Sequence, residues 1–294
     1  MIEIKDLFKS FGDLKALDDV SFEVNKGELF GVIGQNGAGK STLFRSMMNF
    51  YDHFDGEILY EGEKMSEVPL EKIGFLPEER SLSPKKTIRE EIKYFARLNQ
   101  MKNLDDKVLE NYFDRFEIKG SLDDKIKSLS KGNQQKVQLL ASLIYKPEFL
   151  ILDEPFSGLD PYNASLLMGI IKEINEEGTT ILFSSHNMEN VEYLCDRLIM
   201  LRNGKIVLNG SPNEIRNSYE KDIVKVRTGA DLSEIFRGYD LKREGNLWTI
   251  RLEDENDGRE IFKIISDSLG YVSSFSQEPP SLNEIFARMV EEDE

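Results

Sequence analysis

The chain has 294 residues, 39% of them hydrophobic and 31% charged, with 18 Phe and 10 Tyr. That is enough apolar material for a packed core, which excludes wholesale disorder. Its 38 Lys and Arg stand against 54 Asp and Glu, a formal net charge of −16, and such a surface repels phosphate backbones and anionic lipid faces, so nucleic acid is not an expected partner.

From the start, Ile2 to Leu7 and Val20 to Val24 alternate apolar and polar residues as antiparallel strands do, and Met1-Ile2-Glu3-Ile4 has no resemblance to a signal peptide. Leu29 to Ile33 is a short, wholly apolar strand. A glycine-rich loop follows, and Ser41 to Asn49 continues as a helix with Leu43, Phe44, Met47 and Met48 on its buried side. Strands near Glu57–Tyr60 and Lys72–Phe75 precede a mostly helical stretch from about Thr87 to Tyr145. Beyond Pro147, strands and helices alternate: Phe149–Leu152, Pro161–Glu176, Thr179–Phe183, Met188–Cys195 and Arg197–Leu201. That alternation predicts a parallel sheet covered by helices, an α/β fold. No stretch has the length and apolarity of a spanning helix, and Cys195, the single cysteine, cannot form an internal disulfide.

Ser211-Pro212-Asn213-Glu214 is a well-signalled helix start. From about Tyr219 the pattern changes to strand Asp222–Arg227, helix Leu232–Phe236, strands Tyr239–Arg243 and Leu247–Leu252, helix Ile261–Leu269, strand Val272–Ser276 and helix Leu282–Val290. The order β-α-β-β-α-β is that of a ferredoxin-like domain, so the chain is expected to divide into domains 1–218 and 219–294.

Two segments carry chemistry. Gly34-Gln35-Asn36-Gly37-Ala38-Gly39-Lys40-Ser41-Thr42 is a P-loop between a strand and a helix. Its glycines let backbone N–H groups wrap a phosphate, and the helix N-terminus adds a positive dipole end. Lys40 then reaches the β- and γ-phosphates of ATP, and Ser41 offers its hydroxyl to Mg²⁺. Phe149-Leu150-Ile151-Leu152 runs into Asp153 and Glu154 at a strand's carboxyl end, where open α/β sheets place ligands. Neighbours on a strand point to opposite sides, so the two acids take different roles: Asp153 as metal ligand, Glu154 polarising the water that attacks the γ-phosphate.

Together with Leu129-Ser130-Lys131-Gly132-Asn133-Gln134-Gln135-Lys136, Leu152-Asp153-Glu154-Pro155, Ser157-Gly158-Leu159-Asp160 and Ser184-Ser185-His186, that P-loop resembles the ATP-binding subunits of ABC transporters over residues 1 to about 218. The resemblance implies a P-loop NTPase core of ABC type: a parallel sheet, an antiparallel β-subdomain and a helical subdomain at about 80–145. It implies that Ser130 and Gly132 form the signature turn, which binds the γ-phosphate of ATP held by a second subunit's P-loop. ATP then joins two copies, expected to be a homodimer. It further implies that His186 is the switch histidine beside the γ-phosphate, that Asp160 belongs to the D-loop, and that Phe11 stacks on adenine; a strand-end core aromatic is the other reading of Phe11.

Three positions depart from the family pattern. Lys131 replaces the first signature glycine and Asn133 the following glutamine, and the lysine either adds attraction for the partner's phosphates or leaves the site less well shaped. Glu78, in Ile73-Gly74-Phe75-Leu76-Pro77-Glu78, stands where the family usually has a glutamine, and it is expected to keep the contact to Mg²⁺ through a carboxylate. Glu78, Lys131-Gly132-Asn133 and the appended C-terminal domain resemble the sodium-export or drug-export type. That likeness implies an exporter ATPase on the cytoplasmic side of the membrane, held there by a separately encoded permease that docks near residues 79–98. Two rival readings fit the sequence less well. An ABC-type ATPase of DNA maintenance or translation would carry two ATPase domains or long coiled coils, and an inactive binding module would not retain Lys40, Asp153, Glu154 and His186.

Overall fold

In the computed structural model, which describes residues 1–79, 81–269 and 271–291, Ile2–Phe11 (β1) and Leu14–Val24 (β2) pair antiparallel. Both strands run further than their alternating cores. Bulges between Ile4 and Leu7 and between Leu7 and Lys9 break the period of two, with Asp6 at φ 48°, and pairing resumes beyond them. Leu29–Ile33 (β3) starts a second sheet, while Asp55–Tyr60 (β4) and Glu63–Lys64 (β5) extend the first to the order β2-β1-β4-β5. The second sheet adds Ile73–Leu76 (β6), Phe149–Leu152 (β7), Thr180–Ser185 (β8), Arg197–Arg202 (β9) and Lys205–Gly210 (β10). Its order is β10-β9-β3-β8-β7-β6, parallel throughout except for the β9/β10 hairpin.

Burial explains the strand sequences. Every residue of β3, β7 and β8 is buried, as a parallel strand covered on both faces requires. The core below the two sheets runs from Ile2, Ile4 and Val20 to Phe44, Phe149 and Leu182, with Phe22 stacked on Phe30 at 5.3 Å.

The α-helices between Ile88 and Leu194 each begin where a side chain satisfies free N–H groups. Lys40–Met47 (α1) follows the glycine loop directly. Thr87 and Glu90 form a reciprocal capping box for Ile88–Leu98 (α2), and Asp105 caps Asp106–Arg115 (α3). Ser130 caps Lys131–Leu143 (α4), Asp160 caps Pro161–Glu176 (α5), and Asn187 caps Met188–Leu194 (α6). Helices α2 to α4 make the helical stretch expected at about 80–145. Among the described residues no helix is long and apolar enough to cross a membrane.

The chain divides into units Met1–Ser211 and Pro212–Glu294, an earlier division than the expected 218/219. The reason is Pro212–Asn217 (α7), which packs on Leu282–Glu291 (α9) in the second unit. That unit also holds Ile223–Arg227 (β11), Asp240–Glu244 (β12), Leu247–Arg251 (β13), Gly258–Ser268 (α8) and Ser274–Glu278 (β14). The sheet order β12-β13-β11-β14, antiparallel throughout, is the ferredoxin-like arrangement with one change. The expected helix Leu232–Phe236 is a correction: the segment forms turns. Phe236 N bonds Leu232 O, closing one turn, but Gly238 at φ 106° ends it there. Leu232 and Phe236 still fill the unit's core beside Trp248, Ile250 and Ile261.

Candidate nucleotide site

Parallel pairing brings the ends of four strands to one edge. Leu76 lies beside Leu152, Leu152 beside Phe183, and Ile33 beside Ser185. The segments that leave this edge are Pro77-Glu78, Asp153-Glu154, the loop from Gly34, and His186. Residues far apart in sequence thus meet because their strands are in register.

The loop's shape depends on two glycines. Gly34 sits at φ 153°, with room for no side chain: a Cβ there would lie 2.5 Å from Leu201 O. Gly39, at φ 112°, would place one 2.5 Å from Ala16 O. Both neighbours are backbone and cannot yield. The turn Gln35 to Ala38 is closed by Ala38 N donating to Gln35 O at 3.1 Å. Lys40 is buried at the start of α1, and its Nζ donates to Gly34 O at 2.7 Å and Gln35 O at 3.1 Å. Ser41 and Thr42 follow, half-buried, in the first turn of α1.

A cleft of about 320 Å³ runs over this loop, lined by Phe11, Gln35, Asn36, Gly37, Gly39, Lys40, Ser41, Thr42, Glu78 and Glu154. Phe11 is 45% exposed at the end of β1, edge-on to Tyr51 at 5.3 Å. It is therefore no core aromatic, and it offers a flat face at the cleft's rim. Glu78 is exposed just past β6.

Glu154 is 8% exposed, with backbone φ 49°. That left-handed conformation is uncommon for a non-glycine residue, and the surroundings hold it. Its N–H donates to Ser184 Oγ at 2.8 Å, and the Ser184 hydroxyl donates to Asp153 Oδ1 at 2.7 Å. Glu154 Oε2 meets His186 Nδ1 at 2.9 Å. Oε1 is buried without a hydrogen-bond donor among the described residues, and Lys40 Nζ stands 3.8 Å away. The imidazole is largely exposed while the carboxylate is not. With Nδ1 engaged, Nε2 remains as the ring's second polar atom.

Asp153 is 2% exposed. Ser41 and Glu78 line the cleft while Asp153 does not; hydroxyl and carboxylate oxygens of this kind are hard donors that suit Mg²⁺. Among the described residues no three His, Cys, Asp or Glu side chains cluster tightly enough to hold a metal alone. Mg²⁺ bound mainly through substrate phosphates, with one or two carboxylates, fits such a sparse set.

Ser130 and Gly132 sit elsewhere. Ser130 Oγ accepts from Asn133 N at 3.3 Å, and Gly132 lies in the first turn of α4. Ser130 lines a second cleft with Asn133, Lys136, Asp160 and Tyr162, separate from the P-loop cleft of the same subunit. In that cleft the Asn163 N–H and side-chain amide hold the Asp160 carboxyl below the usual carboxylate range.

Sequence reasoning missed two supports. Ser184 was legible in principle, a polar residue in the apolar run of β8. Gln135, whose Nε2 donates to Pro155 O at 3.0 Å, gave no signal, because its partner lies 20 residues away on another element.

Comparison with known proteins agrees with this geometry. Residues 17–157 match the family model for ABC transporters, and residues 210–290 match that for the C-terminal domain of DrrA1-3-like ATP-binding proteins. The uncharacterized ABC transporter ATP-binding protein YhaQ of Bacillus subtilis is 38% identical over 294 residues, covering 99% of this chain and 98% of that protein. The Nod factor export ATP-binding protein I of Rhizobium etli is 28% identical, with 98% and 92% covered. A solved ATP-binding subunit of an ABC transporter superposes with a TM-score of 0.67 at 28% identity, over 74% of this chain and 92% of that one. A phosphate cradle facing a buried acid, in a chain alike over its whole length to such subunits, leaves one assignment: this protein belongs to the ABC transporter ATP-binding proteins, and it hydrolyses ATP.

Proposed function

We propose that the chain powers an exporter, with two copies closing head-to-tail over ATP and a separate permease providing the path through the membrane. The complex then lies on the cytoplasmic face, with this chain peripheral. Export is favoured by the likeness to the Nod factor export protein.

One observation carries the catalytic reading: Oε1 of Glu154 is buried at the cleft with no hydrogen-bond donor among the described residues, its ion pair to Lys40 Nζ spanning 3.8 Å. A buried acceptor without a donor is rare and costly, and here it supplies the base that takes a proton from water. His186 orients that carboxylate through Oε2. Lys40 has three donors and exchanges the carbonyls of Gly34 and Gln35 for phosphate oxygens when ATP enters. Backbone N–H groups of Gly37 to Ser41 hold the β-phosphate at the N-terminus of α1, and Phe11 stacks on the adenine. Ser41, Asp153 and Glu78 hold Mg²⁺. When bound, that ion neutralises charge on the β- and γ-phosphates.

Within one subunit, nothing on the P-loop cleft answers to Ser130 and Gly132. A second copy supplies them, its α4 N-terminus facing the γ-phosphate. An isologous pair completes both sites at once.

Glu154→Gln tests the base. Turnover should fall by about 10² to 10⁴ with ATP affinity kept. Hydrolysis at the parent rate removes Glu154 from the mechanism.

A further inference from the structure

The interior of α4 contains a second amide that the nucleotide site does not use directly. Gln138 is 3% exposed, on a turn of helix where Val137, Leu139, Leu140 and Ala141 are all buried as well. A primary amide in such surroundings is costly unless its polar atoms are engaged. Its Nε2 donates to Pro77 O at 3.2 Å and to Glu79 O at 3.1 Å, one N–H for each carbonyl. Its Oε1 has no donor among the described residues. The amide is thus committed to two backbone carbonyls, and those carbonyls bracket Glu78.

We infer that Gln138 is a positioning residue for Glu78: the amide clamps the turn after β6 so that the Glu78 carboxylate is presented to the metal side of the nucleotide cleft. The inference rests on the reading of Glu78 as a metal contact. Two observations support it beyond the hydrogen bonds. Glu78 is exposed, and its side chain has no hydrogen-bond or ion-pair partner among the described residues. No partner fixes its rotamer, so what the fold sets is the direction in which the backbone launches the side chain. The clamp fixes the peptide planes on both sides of the Glu78-Glu79 pair, which removes backbone freedom that the free turn would otherwise keep.

Gln138 also shares a helix face with Gln135, three residues earlier. Gln135 holds Pro155 O, next to Glu154. The helix that opens with the signature turn at Ser130 is thereby tied to both acidic segments of its own subunit. A shift of α4 on meeting the partner's nucleotide carries the Glu78 turn with it. Outer-shell partners of metal ligands typically contribute 10- to 100-fold in metal affinity, which sets the expected size of the effect.

The test uses the full-length chain with a non-hydrolysable ATP analogue and Mn²⁺ as the probe ion, read by electron paramagnetic resonance. Four proteins are compared: the parent, Gln138→Met, Glu78→Ala and the double variant. Methionine keeps the length and apolar volume of glutamine but cannot donate, and Gln138→Leu serves should methionine fail to pack. The expected result is that Gln138→Met weakens Mn²⁺ binding by about tenfold, that Glu78→Ala weakens it similarly, and that the double variant is no weaker than Glu78→Ala alone. Analogue binding in EDTA stays at the parent level in Gln138→Met, which does not line the cleft. Mn²⁺ affinity unchanged in Gln138→Met but reduced in Glu78→Ala overturns the clamp and leaves the role of Glu78 standing. Parent-level affinity in Glu78→Ala overturns the metal reading of Glu78, and the clamp with it. Additive losses in the double variant place the action of Gln138 elsewhere and also overturn the inference.

Discussion

Replacing Ser184 by alanine should damage both stability and turnover without touching substrate. The Ser184 hydroxyl is fully buried and uses both of its capacities, accepting from Glu154 N at 2.8 Å and donating to Asp153 Oδ1 at 2.7 Å. Alanine leaves the Glu154 N–H as a buried donor without a partner, which costs about 1–3 kcal/mol. It also removes a hydrogen bond to a carboxylate, worth about 1.5–3 kcal/mol. Relaxation of Glu154 from φ 49° would offset about 1 kcal/mol of this. The net loss is about 1.5–5 kcal/mol, a large share of a domain's usual margin of about 5–15 kcal/mol. Urea unfolding followed by far-ultraviolet circular dichroism measures it, since the single tryptophan, Trp248, lies in the second unit and does not report on this site. Turnover should fall more than ATP affinity, because the phosphate cradle is built from other residues. An unfolding free energy within about 0.5 kcal/mol of the parent, the range of an innocuous surface change, together with parent turnover, would refute the reasoning.

Gly39→Ala should weaken ATP binding by at least about tenfold and lower the melting temperature, since a side chain at φ 112° is strained by about 1–3 kcal/mol and its Cβ would sit 2.5 Å from Ala16 O; titration with a fluorescent ATP analogue checks it. Burial, and then the hydrogen bond that Tyr60 donates to Glu148 Oε2, push the Tyr60 phenol well above its ordinary value. The folded state therefore retains a proton that the unfolded state releases, so stability from this group is complete below pH about 10 and is lost as pH rises beyond it. Melting curves between pH 9 and 11 should show a steeper fall, by about one proton's slope, for the parent than for Tyr60→Phe. Equal slopes contradict the assignment.

The sequence was most legible where backbone demands are strict. The P-loop, β3, β7 and α5 fall where the pattern puts them, because glycines at forced φ values, wholly apolar strands and a capping Asp160 before Pro161 leave little choice. Strand β10 was overlooked, although Asn203-Gly204 between β9 and β10 is a strong hairpin signal, and both residues adopt the positive φ that the tight turn needs. Leu232–Phe236 misled in the opposite direction: its apolar spacing suits a helix, but burial of Leu232 and Phe236 needs only one turn before Gly238. Strands β1 and β2 looked short because bulges interrupt alternation without ending the pairing. A polar residue at Ser184 in an apolar strand was legible, but its partners and those of Gln135 and Gln138 were out of reach. Each of these contacts joins residues about 20 to 60 positions apart through strand register and helix packing, which no local pattern encodes.

The most direct test of the composite site is the sedimentation mass of the Glu154→Gln chain with Mg²⁺ and ATP. Each chain weighs 33.8 kDa. The composite site requires that ATP bring the particle to twice that mass, and that a further Gly132→Asp change, placing a carboxylate toward the partner's phosphates, return it to the nucleotide-free mass. A single-chain mass with ATP bound, alongside a parent turnover per chain that does not vary with protein concentration, would contradict it.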